Sequence, residues 1–213
     1  SADDRRRSEM YKENAQRAQV RAAFTDYGDY LGSLDMHAEI DHFVPMYMSR
    51  IAQLTNKSNQ FNLTTKRFTQ AQIENMAADP TYITLYGQLQ DRFGDNGVVS
   101  VVIGEIGLRS DLPEQSDNFS DVLNIRLWLM SCRVLKRGME YAMFDSLVEK
   151  CKEKNIGTIY GYYYKTAKNA MVAEFYKDMG FICNDLNDSG DSVWEYTIPE
   201  EYEKKNKYIK LES

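Results

Sequence analysis

Apolar positions along the chain recur at helical spacing in the first third and switch to a period of two near residue 81. Residues 4–24 hold neither Gly nor Pro, and Met10, Ala15, Ala18, Ala22 and Phe24 stand against a charged background. That pattern predicts a weakly amphipathic helix acting as an arm or cover. Thr25 or Asp26 caps a second short helix to about Leu34, and a strand follows over residues 36–41. Pro45 suits the first turn of a helix carrying Met48, Ile51 and Leu54. Residues 56–67 are polar and amide-rich, which predicts a surface loop. Thr69 or its neighbour caps a further helix to about Ala78, which Asp79-Pro80 ends.

Ile83, Leu85 and Leu89 mark a strand, Asp95-Asn96-Gly97 reads as a hairpin turn, and residues 98–103 read as the partner strand. A third strand covers residues 122–130. Gly138 opens a helix with Met139, Ala142, Met143, Leu147 and Val148 along one side, and Asn155-Ile156-Gly157 closes it. The next strand spans residues 158–164. A helix between two strands implies a parallel pair with a right-handed crossover. Residues 168–179 predict another helix stopped by Gly180, residues 192–198 a final strand, and the Lys-rich tail a helical or frayed end. The expected architecture is α/β, a mixed twisted sheet flanked by helices. It divides into an N-terminal helical extension (1–34), a catalytic-type domain (35–199) and a charged tail (200–213).

The composition narrows the partners. A chain of 213 residues, 43% of them hydrophobic, can bury one good core. Its formal charge of -6 argues against general nucleic-acid binding, so an anionic partner must meet a local patch. Cys132, Cys151 and Cys183 lack metal-ligand spacing and suggest neither a disulfide framework nor a zinc site, which fits a reducing cytoplasm. No apolar run has the length of a membrane span. The opening Ser1-Ala2-Asp3-Asp4 lacks an initiator methionine, which suggests a piece of a longer protein. His37 and His42 form no dyad and read as structural, and Asp91 with Arg92 reads as a local ion pair.

Candidate chemistry gathers after the third strand. A strand feeding a turn that opens a helix presents unsatisfied N–H groups to an anion, and here Arg133, Lys136 and Arg137 surround such a turn. With Asn169, Phe175-Tyr176 and Gly180-Phe181 downstream, this order resembles the GNAT acyltransferase superfamily (acyl-CoA N-acyltransferases). The resemblance implies that Arg133, Val134, Lys136, Arg137 and Gly138 cradle a pantetheine pyrophosphate, with Asn169 and Tyr176 beside the thioester. Glu140 departs from the superfamily, which usually has Gly or Ala there. A carboxylate at that point either repels coenzyme A or complements the helix dipole.

Three blocks, residues 50–67, Asp91-Arg92-Phe93-Gly94-Asp95-Asn96-Gly97 and Trp128-Leu129-Met130-Ser131-Cys132-Arg133-Val134, are similar to the C-terminal region of FkbH-like proteins. That resemblance implies an upstream HAD-type phosphatase-like domain and an acyl carrier protein as partner. It also implies transfer of a glyceryl-type acyl group to carrier-bound phosphopantetheine, towards a polyketide extender unit. Cys132, just past a strand end and beside Arg133, is placed to hold the acyl group as a thioester. Tyr176 is placed to protonate a leaving thiolate. Asn59, Gln60 and Asn62 are placed to read acyl oxygens, with Lys66 and Arg67 for a phosphate. Two rival readings stand beside this one: a coenzyme A-dependent N-acetyltransferase, and a non-catalytic module that docks the carrier.

Overall fold

The structure, a computed structural model, describes residues 1–107 and 121–212. Its centre is one eight-stranded mixed sheet. The strands are β1 (Met36–Asp41), β2 (Tyr82–Asp91), β3 (Gly94–Gly107), β4 (Val122–Met130), β5 (Thr158–Tyr163), β6 (Ile182–Leu186), β7 (Ser192–Thr197) and β8 (Ile209–Glu212). They lie in the order β6-β7-β5-β4-β3-β2-β1-β8. The helices are α1 (Ala2–Ala22), α2 (Tyr27–Ser33), α3 (Pro45–Lys57), α4 (Gln70–Ala78), α5 (Met139–Glu153) and the short α6 (Phe175–Asp178).

Alternation along the strands supplies apolar side chains to both faces of the sheet. Leu85, Leu89, Val99, Val102 and Trp128 join α2 and α5 in one core; Tyr86, Val101, Ile103, Leu127 and Leu129 join α3 and α4 in the other. In β4 a register shift opposite residues 103 and 104 moves the first-face positions from Leu123 and Ile125 to Trp128 and Met130. One extra residue, Arg126, absorbs that change of parity.

Local signals set several boundaries. Asp26 caps α2 through the Asp29 N–H at 2.8 Å, Thr69 and Gln72 form a capping box on α4, and Pro45 begins α3. Gly138, at φ 86, starts α5, and β4 and β5 run parallel across it as expected.

Three expectations change. The hairpin turn is Arg92-Phe93, because the Asp91 carboxylate accepts from the N–H groups of Phe93 and Gly94 and closes the turn early. Asp95-Asn96-Gly97 lies inside β3 at a register irregularity, with Gly97 at φ 67. Residues 168–179 form a 3₁₀ turn (Ala170–Val172) and the four-residue α6 rather than one helix. The tail after Pro199 returns as β8, parallel to β1. Buried Asp145 on α5 anchors that return by accepting from Tyr202 Oη and from the N–H groups of Lys205 and Asn206.

Candidate functional site

β4 and β5 pair only over residues 122–124 and 158–160, after which β4 continues to Met130 beside β3 alone. The gap that opens is filled by residues 61–64, all buried. Met130 N–H donates to Phe61 O at 3.0 Å, Leu63 N–H to Trp128 O at 3.1 Å, and Tyr164 N–H to Leu63 O at 2.9 Å. The surface loop expected at residues 56–67 is therefore partly a strand substitute. Phe61 and Leu63 explain its burial, since both sit in the first core.

This insertion redefines two expected ligand contacts. Asn169 is fully buried; its Oδ1 accepts from Thr166 N–H and Tyr163 Oη, and its Nδ2 donates to Asn62 O and Tyr164 O. Asn62, equally buried, donates to Ser58 O and accepts from Thr65 N–H. Both amides are consumed in holding the loop, so neither offers a cofactor or acyl group a free polar atom.

The turn before α5 is also committed internally. Val134 is fully buried. Arg137 points inward, donating to Arg133 O at 2.9 Å and to Asp91 at 3.4 Å. Asp91 is held in turn by a two-point contact from Arg17 of α1, both bonds 2.7 Å, so its partners are Arg17 and Arg137 rather than Arg92. Burial and the neighbouring Arg17 lower the Arg137 pKa. Lys136, at φ 63, is exposed, and its carbonyl accepts from Tyr27 Oη of α2.

Glu140 stands in the first turn of α5, beside the N–H groups that open the helix. Its Oε2 is buried without a partner, and burial raises its pKa. The 910 Å³ cavity beside this turn is walled on its far side by the returning tail, including Tyr202 and Tyr208.

Cys132 lies elsewhere in character. Its thiol is exposed at the end of β4, where Ser131 Oγ accepts from Arg133 N–H and starts a 3₁₀ turn over Cys132–Val134. It opens into a cleft of about 570 Å³ that brings together Asn59, Gln60, Arg133 and three cations of other elements, Arg50, Lys57 and Lys168. Among the described residues no carboxylate or imidazole lines this cleft. Burial, and then the charge of Arg133, lowers the Arg50 pKa, so two guanidinium groups crowd one wall.

Arg67 serves the cleft indirectly: it donates to Thr55 O, to Asn56 O and to Asn59 Oδ1, holding the loop. Lys66 instead faces Arg126 and Glu105; burial and Arg126 lower its pKa while Glu105 opposes them. Tyr176 is buried in an aromatic cluster with Phe175 and Phe181, its ring against Gly161, and burial raises its pKa steeply. It lines neither this cleft nor the α5 cavity, which removes the geometric basis for a proton-transfer role. Arg50 and Lys168 were not singled out from sequence. A signal existed, because Arg50 and Lys57 are seven residues apart and so share one face of α3.

Of the other cysteines, Cys151 is buried, with its thiol pushed up to about 12, and Cys183 is exposed on β6. His37 lies between Asp35 and Glu212, and His42 beside Asp41. Among the described residues no His, Cys, Asp and Glu cluster suits a metal, and no helix is long and apolar enough to cross a membrane.

This sheet with its helices is the GNAT acetyltransferase fold. It is similar to Arabidopsis thaliana NAA60 in complex with a bisubstrate analogue, with TM-score 0.58 and 15% identity over 76% of this chain and 99% of that one. The ribosomal-protein-S18-alanine N-acetyltransferase from Escherichia coli shares it with TM-score 0.51 and 11% identity, over 78% and 97% of the two chains. A GNAT-family acetyltransferase from Streptococcus pneumoniae does so with TM-score 0.56 and 12% identity, over 76% and 100%. No protein-family model and no curated protein matches the sequence.

Proposed function

We propose that this chain is an acyltransferase domain that passes an acyl group through a Cys132 thioester to the thiol of phosphopantetheine on an acyl carrier protein. The observation that carries the reading is the composition of the Cys132 cleft: an exposed thiol, four cations, the amide side chains of Gln60 and of Asn59, the latter held by Arg67, and, among the described residues, no acid or base.

Amine acetylation needs a group to take a proton from the attacking nitrogen. Thioester exchange can draw its thiolate from the thiol's own equilibrium with water, which takes the proton: the thiolate attacks the carbonyl carbon, a new C–S bond forms, and the other thiolate leaves with the bonding pair and is reprotonated by water. The cleft suits the second reaction. In the loading step the Cys132 thiolate attacks an acyl donor whose leaving group is anionic, such as a phosphate. Arg50 and Arg133 offset the charge on the tetrahedral oxygen and on the departing group. Asn59 and Gln60 supply donors and acceptors for a hydroxylated, glyceryl-type acyl chain. An upstream HAD-type domain and the carrier protein complete this reading.

The filled gap supports it from the other side. A coenzyme A arm reaching from the α5 turn to Asn169 has to cross the space that residues 61–64 occupy. Intact-mass measurement after incubation with an acyl phosphate tests the proposal. Wild type should gain the acyl mass and Cys132→Ala should not; an adduct persisting in the variant would sink it. The names of the similar structures favour a second reading, coenzyme A-dependent N-acetylation. It requires coenzyme A binding and turnover of an amine that survive Cys132→Ala.

A further inference from the structure

The positive surface around Cys132 extends well beyond the thiol. A second groove of about 530 Å³ runs between α1 and α3 and shares Arg50, Lys57 and Arg133 with the Cys132 cleft. Arg6 and Arg7 of α1 line its outer part, and among the described residues Asp3 is the one carboxylate in its lining. Arg6 is partly engaged, with Asp95 O and with Glu9 at 3.7 Å. Among the described residues the Arg133 side chain hydrogen-bonds Ser131 Oγ and Met10 Sδ, and Arg50 bonds Gln53. Among the described residues Arg7, Arg50, Lys57 and Arg133 have no carboxylate partner. On a chain of net charge -6, unpaired cations so concentrated are a binding feature rather than a solvated face.

We infer that this α1/α3 groove binds the phosphodiester of a carrier-bound phosphopantetheine arm and leads its thiol to Cys132. The inference rests on the proposed acyl transfer and gives its acceptor a route. Charges beside the thiol would serve any anionic acyl donor. Charges continuing away from it, onto α1, serve a long ligand whose anion lies far from its reactive end. An acidic carrier surface around the base of such an arm would meet Arg6 and Arg7 in turn. The arm thus enters away from the α5 turn, whose cavity is lined by Glu140 and by the returning tail. Arg50 then has two partners in succession, the phosphate of the donor and that of the arm.

Titration calorimetry with two thiols, 4′-phosphopantetheine and pantetheine, tests this on the full chain without any acylation step. The phosphorylated thiol should bind about tenfold or more tightly, as charge-assisted phosphate contacts allow. Arg7→Glu and Arg50→Gln should each erase most of that difference, and added salt should shrink it. Equal affinity of the two thiols would overturn the inference. So would a preference abolished by Lys136→Gln but not by Arg50→Gln, which would put the phosphate at the α5 turn. Competition by inorganic phosphate at equal strength, with no contribution from the pantetheine portion, would reduce the groove to an adventitious ion only. Because these titrations do not depend on Cys132, failure of the acyl-adduct experiment and failure of this one are separate results.

Discussion

Asn169 Nδ2 donates to the backbone oxygen of Asn62 at 3.0 Å, tying the turn after β5 to the segment that fills the β4–β5 gap. A residue that the order of elements placed beside a cofactor is thus bound into the segment that fills this gap. Four bonds converge on one buried amide, and two of its partners, Asn62 and Tyr163, are themselves buried.

Asn169→Ala should therefore cost about 2–3 kcal/mol, since buried partners are left unsatisfied. Asn169→Asp should also destabilise, because a carboxylate would face two carbonyl oxygens. Urea denaturation checks both. A residue that served only to bind a ligand would leave the midpoint unchanged.

The Arg17–Asp91–Arg137 cluster makes a second stability claim. Asp91 has a fully buried side chain between two guanidinium groups. Asp91→Asn should cost about 3–5 kcal/mol by leaving buried Arg137 without a counter-charge and Arg17 with Glu13 alone, at 4.0 Å. Truncating α1 before Arg17 should lower the thermal midpoint too, which would make the helical extension part of the domain's stability.

The three thiols should separate chemically. Cys132 and Cys183 are exposed and Cys151 is buried, so native alkylation should modify two sites and the third only after unfolding. Anionic iodoacetate should be favoured over neutral iodoacetamide at Cys132 compared with Cys183, because cations line only the Cys132 cleft so densely. Salt should erase that bias. Peptide mapping with the two reagents provides the readout, and an equal ratio at both sites would count against the local field.

Glu140 predicts a pH dependence with a definite sign. Burial raises its pKa in the folded chain, so the folded state holds this proton more tightly than the unfolded one. The charged form therefore penalises folding above the raised value, and the penalty fades as pH falls through it to the ordinary carboxylate range. Glu140→Gln should raise the melting temperature at neutral pH and lose that advantage in acid. A pH-independent gain would point to packing instead.

Local patterning specified much of this protein. The period-two runs marked β2, β3 and β4; Asp26, Thr69, Pro45 and Gly138 marked helix starts; and a helix between two strands required the parallel β4–β5 pair. These features depend on side-chain alternation and on the backbone needs of nearby residues, which a sequence carries directly. The tethering of Cys132 to a strand end beside Arg133 was legible for the same reason.

Tertiary structure alone decided the rest. Whether residues 61–64 lay on the surface or along the free edge of β4 depended on backbone groups more than sixty residues away, at Trp128 and Met130. The tail became β8 because Asp145 and the edge of β1 were there to receive it. Arg137 turned from an anion-facing cation into a buried one because Asp91 and Arg17, remote in sequence, meet it inside. Side-chain type says what chemistry is available, whereas which polar groups remain free after folding is settled by contacts between distant segments, and those free groups define the cleft around Cys132.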